Sequence, residues 1–230
     1  MAPRASALNI TEPSTLLTDY ALATLCAALA WRLRAAADAT RQRAVGVWAL
    51  AFAATALGSL FGGTYHGFQL MLGERTAAAV WTLTTITVGA AACLLLTASL
   101  LASVSRKARR WWLAIVLAQY AVYVAWMLRH DEFSYVIVEY GSAMLCVLAL
   151  MLTARMRKTQ AARWIVAGIA LSIVAALVQQ SGFDVHRHLN HNDLQHLVQM
   201  AAVWLLYRGG TRLRDVTWPD TDDGMIDPRK

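Results

Sequence analysis

Six histidines occur in the chain, and four of them crowd one stretch, FDVHRHLNHNDLQHLVQMAAVWLLYRG, from Phe183 to Gly209. These are His186, His188, His191 and His196, with Asp193 among them. Imidazoles and carboxylates are the side chains that hold divalent metals and move protons near neutral pH. Asn192 and Asp193 precede His196 by four and three residues, so in a helix all three share a face. If the helix starts early, His188 joins a four-residue ladder with Asn192 and His196. His191 lies five positions from His196 and points away from it unless the helix starts later. Gln195 and Gln199 carry the polar stripe further along.

A second histidine-bearing stretch is ALGSLFGGTYHGFQLMLG, residues 56–73. Gly58 with Gly62, and Gly63 with Gly67, are small residues four apart, the spacing that lets two helix backbones approach closely. His66 lies one turn from Gly62 and Gly63, on the face where a neighbouring helix is expected. A catalytic zinc needs three protein ligands and an open position for water. His66, His196 and one of Asp193, His191 or His188 would supply the three, and zinc is the expected metal. Glu139, Asp19 and Glu74 are the candidate proton-transfer groups or partners behind a ligand. The metal-free readings are a histidine hydrogen-bonded between helices, a polar interface, or a proton relay.

The elements that must position these groups are membrane helices. The chain is 58% hydrophobic and 15% charged, against about 45–50% and about 25% for an ordinary soluble domain. A membrane-crossing helix needs about 20 apolar residues. Seven such segments are expected, at 14–33, 44–71, 77–104, 111–128, 133–154, 162–180 and 191–207. The expected fold is therefore all-α, a polytopic seven-transmembrane helix bundle over 14–207. It has a short tail at 1–13 and a polar, mobile tail at 208–230. Short connections predict that sequential helices are antiparallel neighbours. Thr82, Thr84, Thr85 and Thr87, with Gln119, Tyr120 and Tyr123, read as packing and interhelical hydrogen-bonding groups.

Charge sets the expected orientation. Seventeen of the 21 basic residues fall in the loops after helices one, three and five and in the C-terminal tail. Lys and Arg concentrate on the cytoplasmic side, which puts the N-terminus outside and the C-terminus in the cytoplasm. All six histidines then lie at the outer side, as do Asp19, Glu139 and Asp193. Ionisable groups within a bilayer are costly and normally face a protein interior or watery cavity, so a polar cavity open to the outer face is expected. Cys26, Cys93 and Cys146 are isolated within apolar stretches and read as core residues. The first residues lack a basic region followed by an apolar stretch, so no removable signal peptide is expected. The protein is expected to be multi-pass, in the inner membrane if bacterial. Its basic residues are too dispersed for nucleic acid.

The residues TYHGF (64–68) and HNDLQHLVQM (191–200), on helices two and seven of an N-outside bundle, resemble a known superfamily. It includes the alkaline ceramidases and the adiponectin and progestin receptors. The resemblance implies zinc held by His66 and by a helix-seven pair, of which His196 matches the second member. The first member falls on Asn192, beside His191. The family's assisting serine falls on Gly62, with Ser59 and Thr64 nearby. Its helix-three aspartate falls near Ala77, with Glu74 just before. The implied activity is hydrolysis of a lipid amide or ester, with membrane lipid as substrate and partner. The alternatives are a non-enzymatic seven-helix receptor or lipid-binding protein, and b-type haem held by His66 and His196. Helix seven contains no lysine for retinal, and no phosphate-binding glycine loop appears.

Overall fold

The computed structural model describes residues 10–186 and 189–216. His188 and the tail beyond Val216, both invoked above, lie outside the described residues. Among the described residues there are seven α-helices: α1 (Pro13–Thr40), α2 (Arg43–Leu72), α3 (Glu74–Ser103), α4 (Arg106–Met127), α5 (Phe133–Met151), α6 (Gln160–Ser181) and α7 (His191–Gly210). Five of them, α1, α2, α3, α5 and α6, are long and apolar enough to cross a membrane. α4 opens on the basic run RKARR and α7 on the polar run HNDLQH, which dilutes their hydropathy.

The exterior has the character of a lipid-facing surface. Leu17 is 69% exposed, Val138 70% and Leu177 64%, and similar residues occur on every helix. Exposed apolar side chains over this much of the surface would be unstable in water, while hydrogen-bonded helices meet the demands of hydrocarbon. The chain is an integral membrane protein. Trp111, Trp112 and Trp126 are exposed near the ends of α4, where indoles favour the interface.

Most helices start and stop for local reasons. Pro13 opens α1, where its missing N–H costs nothing. α1 runs to Thr40, well past residue 33, through the alanine-rich RAAADAT. Arg34 and Asp38 pair there at 2.8 Å in the i, i+4 relation. Gly73 alone joins α2 to α3, at φ 72° and ψ 152°, a conformation open to glycine. The Thr159 side chain caps α6 by accepting from the Ala162 N–H at 3.1 Å.

Helix order departs from simple succession at one point. α1 packs on α2, α2 on α3, α5 on α6 and α6 on α7. α3 is the main backbone neighbour of both α4 and α5, and α1 closes the ring against α7. α4 thus lies on the outside of α3, where only Val116, Tyr123 and Met127 of its residues are buried. Tyr120 and Tyr123 donate across to the Ile86 and Thr85 carbonyls at 3.1 and 2.9 Å. The threonines of α3 bond back to their own helix.

The apolar core occupies the basic half of the bundle. Leu33, Trp48, Met151, Ile165 and Leu213 are each fully buried there. After α7 the chain turns back across this end. The Asp215 carboxylate accepts from the Arg43 and Ala44 N–H groups, both at 2.8 Å, and so caps the start of α2. Asp215→Ala should lower the thermal midpoint in detergent, at a cost of about 1–2 kcal/mol. Asp38→Ala, which breaks an exposed pair, should leave the midpoint unchanged.

Candidate functional site

Three helices bring their polar residues to one depth. Asp19 lies six residues into α1, His66 six residues from the end of α2, and His196 five residues into α7. At 1.5 Å per residue each is about 7–9 Å from its helix end. α1 stands between the other two, since it packs on both α2 and α7.

Glycines let α1 come close. A Cβ on Gly63 would lie 2.8 Å from the Asp19 Cβ and 2.8 Å from the Tyr20 ring, and one on Gly67 would lie 2.9 Å from Leu16. Gly63 and Gly67 therefore receive α1, as their spacing implies. A Cβ on Gly62 would lie 3.7 Å from both Asp19 carboxylate oxygens. The position matched above to a serine is the floor on which the Asp19 carboxylate rests.

α7 begins with a capping box that fixes its rotation. The Asn190 side chain accepts from the Asn192 and Asp193 N–H groups at 2.8 and 3.1 Å. The Asp193 carboxylate accepts in return from the Asn190 N–H at 2.9 Å. Asp193 is fully buried, and its other oxygen lies 3.4 Å from the Thr18 hydroxyl.

That rotation places His196 between two α1 side chains. Its Nε2 lies 3.2 Å from Asp19 Oδ1, and its Nδ1 lies 2.9 Å from Thr18 Oγ1. In one neutral tautomer Nε2–H faces Asp19 Oδ1 at ion-pair distance and Nδ1 accepts from Thr18. Protonation of Nδ1 would reverse the second bond and send the Thr18 hydrogen to Thr15 O at 3.1 Å or to Asp193. A hydroxyl, an imidazole and a carboxylate in series can pass a proton.

His66 stands beside this series. Its Nδ1 is 3.3 Å from Glu12 Oε2, though not aligned for a hydrogen bond. The Thr11 N–H donates to the Gly67 carbonyl at 3.0 Å, which pins the segment before α1 against α2 and brings Glu12 to the histidine. The His66 ring also packs edge-on to Tyr65 and Trp81.

The other proposed residues lie elsewhere. His191 turns to the α6–α7 loop, where its Nδ1 and backbone N–H both meet Asp184 Oδ1 at 2.9 Å. Those bonds hold the Asp184 carboxyl below its ordinary range. Glu139 is buried against α4 and bonds Gln119. Glu74 is exposed in the first turn of α3, where its charge complements the helix dipole. His130 stacks on Trp126.

These placements bear on the expected metal. Among the described residues, no group of three or more His, Cys, Asp or Glu side chains is arranged to hold a metal ion. Both His196 nitrogens are engaged, and Asn192 faces Gln179 at 3.4 Å. As they stand, the described side chains are not arranged as a zinc shell. Thr18 and Glu12 belong to the site and carry no spacing signal of their own.

Fold and site together define a helical membrane protein with a partly buried hydroxyl–imidazole–carboxylate cluster at one end of the bundle. The chain belongs to a family of unknown function, DUF6962, whose model matches residues 14–215. No curated protein and no solved structure matches it. The match spans all seven helices and the Asp215 cap.

The cap and the glycine contact each give an expected outcome. Asp193→Ala should destabilise the protein by about 1–2 kcal/mol, while His191→Ala changes little, in thermal unfolding of detergent-purified samples. Gly63→Ala should force α1 away from α2 and lower the midpoint further than Ala79→Gly, a change at an exposed site of α3.

Proposed function

We propose that the chain is a seven-span membrane protein with its N-terminus outside, and that Thr18, His196 and Asp19 hydrolyse an amide or ester of a lipid in the outer leaflet. The single observation that carries the reading is the His196 ring held between a hydroxyl at 2.9 Å and a carboxylate at 3.2 Å. In this reading His196 takes the proton of Thr18 as that oxygen attacks the carbonyl carbon. Asp19 keeps the ring oriented and balances the imidazolium. His196 then returns the proton to the leaving amine or alcohol, and water, activated in the same way, releases the acyl group. No step requires a metal.

The seven-span reading is supported by the lengths of α4 and α7, 22 and 20 residues, each about 30 Å or more. The orientation is supported by the basic residues at the end opposite the cluster. A cysteine at position 74, in a background lacking Cys26, Cys93 and Cys146, should react with an impermeant maleimide on intact cells. One at position 157 should react only after permeabilisation. The reverse pattern would invert the orientation.

Purified protein in nanodiscs, offered a panel of lipid amides and esters, tests the chemistry. Turnover is expected to fall by about 10²–10⁴ in His196→Gln and Asp19→Asn, and to persist in Thr18→Ser but not Thr18→Val. Equal rates in wild type and His196→Gln would overturn the hydrolytic reading. Elemental analysis of wild type beside a His66→Ala/His196→Ala double mutant separates it from a zinc enzyme. Stoichiometric zinc in the wild type alone would revive the metal.

The second reading is a lipid-binding or receptor protein without turnover. It is favoured by the same three side chains serving as a tie between α1 and α7. Lipid extracts of cells with and without the protein distinguish the two, because a substrate that builds up only in its absence means turnover.

A further inference from the structure

The basic end of the bundle, opposite the histidines, contains a cavity of about 280 Å³. It lies where the end of α3, the loop before α6 and the segment after α7 meet. Arg155, Arg212 and Arg214 line it, with Thr159 and Ala161. Arg155 and Arg214 are exposed and Arg212 is half-buried, so three cationic side chains gather at the rim of one small cavity, where an anion would be drawn to them.

The described residues supply no such counter-charge. None of their ion pairs involves these three arginines. The nearest acid in sequence, Asp215, is turned away, with both carboxylate oxygens committed to the start of α2. One Nη1 of Arg212 donates to the Arg208 carbonyl at 2.7 Å, and one of Arg214 to the Leu213 carbonyl at 2.9 Å. Those bonds fix the two groups in place and leave most of their five donors free.

The start of α6 adds to the same field. Thr159 is its N-cap and Ala161 lies in its first turn, so the positive end of that helix borders the cavity. Planar guanidinium donors match phosphate oxygens in pairs. The volume is below that of pockets for drug-sized ligands and suits a single phosphate-bearing group.

We propose that Arg155, Arg212 and Arg214 form a binding site for a phosphate-bearing anion at the basic end of the bundle. Two sources offer that chemistry: the headgroup of an anionic phospholipid, or a soluble phosphate compound. The site links α3, α6 and the segment after α7, so occupancy would brace the end of the bundle that Asp215 also closes.

The test uses the full chain in detergent and in nanodiscs. Inorganic pyrophosphate is titrated calorimetrically. Retention of phosphatidylglycerol against phosphatidylcholine is read by native mass spectrometry. Arg155→Gln/Arg212→Gln/Arg214→Gln is compared with Arg32→Gln/Arg34→Gln/Arg106→Gln, which removes the same charge from the same end. Binding of at least one probe is expected, weakened roughly tenfold or more in the first variant and little changed in the second. Pyrophosphate binding identifies a soluble ligand, and selective phosphatidylglycerol retention identifies a headgroup. If the first variant does not fold, Arg212→Lys, which keeps the charge but loses the fork, should still weaken binding. No binding of either probe to wild type, equal loss in both triple variants, or undiminished binding in Arg212→Lys would overturn the site.

Discussion

The structure depends on one constraint: polar groups placed between membrane helices must find partners there. Hydrocarbon offers none, and an unsatisfied polar group within it costs several kcal/mol. His196, Asp19, Thr18 and Asp193 meet the constraint together. Each is within hydrogen-bonding distance of another member of the set, and Asp193 also completes the cap of its own helix. The bonds join helices at opposite ends of the chain, so closing the ring and building the site are one event.

The arrangement divides labour along the bundle axis. The basic half holds the large buried side chains, among them Trp48, Met151 and Ile165, and supplies packing. The histidine half is built on small residues. Gly63 and Gly67 allow α1 to settle on α2, which places Asp19 within reach of α7. Close packing of this kind leaves little freedom for the imidazole, and limited motion is what a positioned proton-transfer group needs.

Depth and length were legible in the sequence, while angular position was not. Apolar runs and basic loops locate the helices to within a few residues, except where α1 continues to Thr40 on helix propensity alone. Histidine and acid positions reveal one end of the bundle as polar. They do not reveal which helices touch. Glu139 sits as far into α5 as Asp19 sits into α1, yet it meets Gln119 of α4 rather than His196. A helix apolar on all sides gives no rotational signal, so Thr18 resembles any other threonine in α1. Gly62, which the resemblance sets at a serine position, turns out to lie against the Asp19 carboxylate. His191 is drawn off by Asp184, a loop contact that no helical spacing predicts.

The central claim is that the His196 ring is locked between Asp19 and Thr18. Solid-state nitrogen NMR of histidine-labelled protein in lipid bilayers measures this directly, with His196→Gln used to assign the signal. A single neutral tautomer is predicted, protonated at Nε2, with that signal altered by Asp19→Asn and the Nδ1 signal by Thr18→Val. A ring exchanging freely between tautomers, indifferent to both substitutions, would contradict the account.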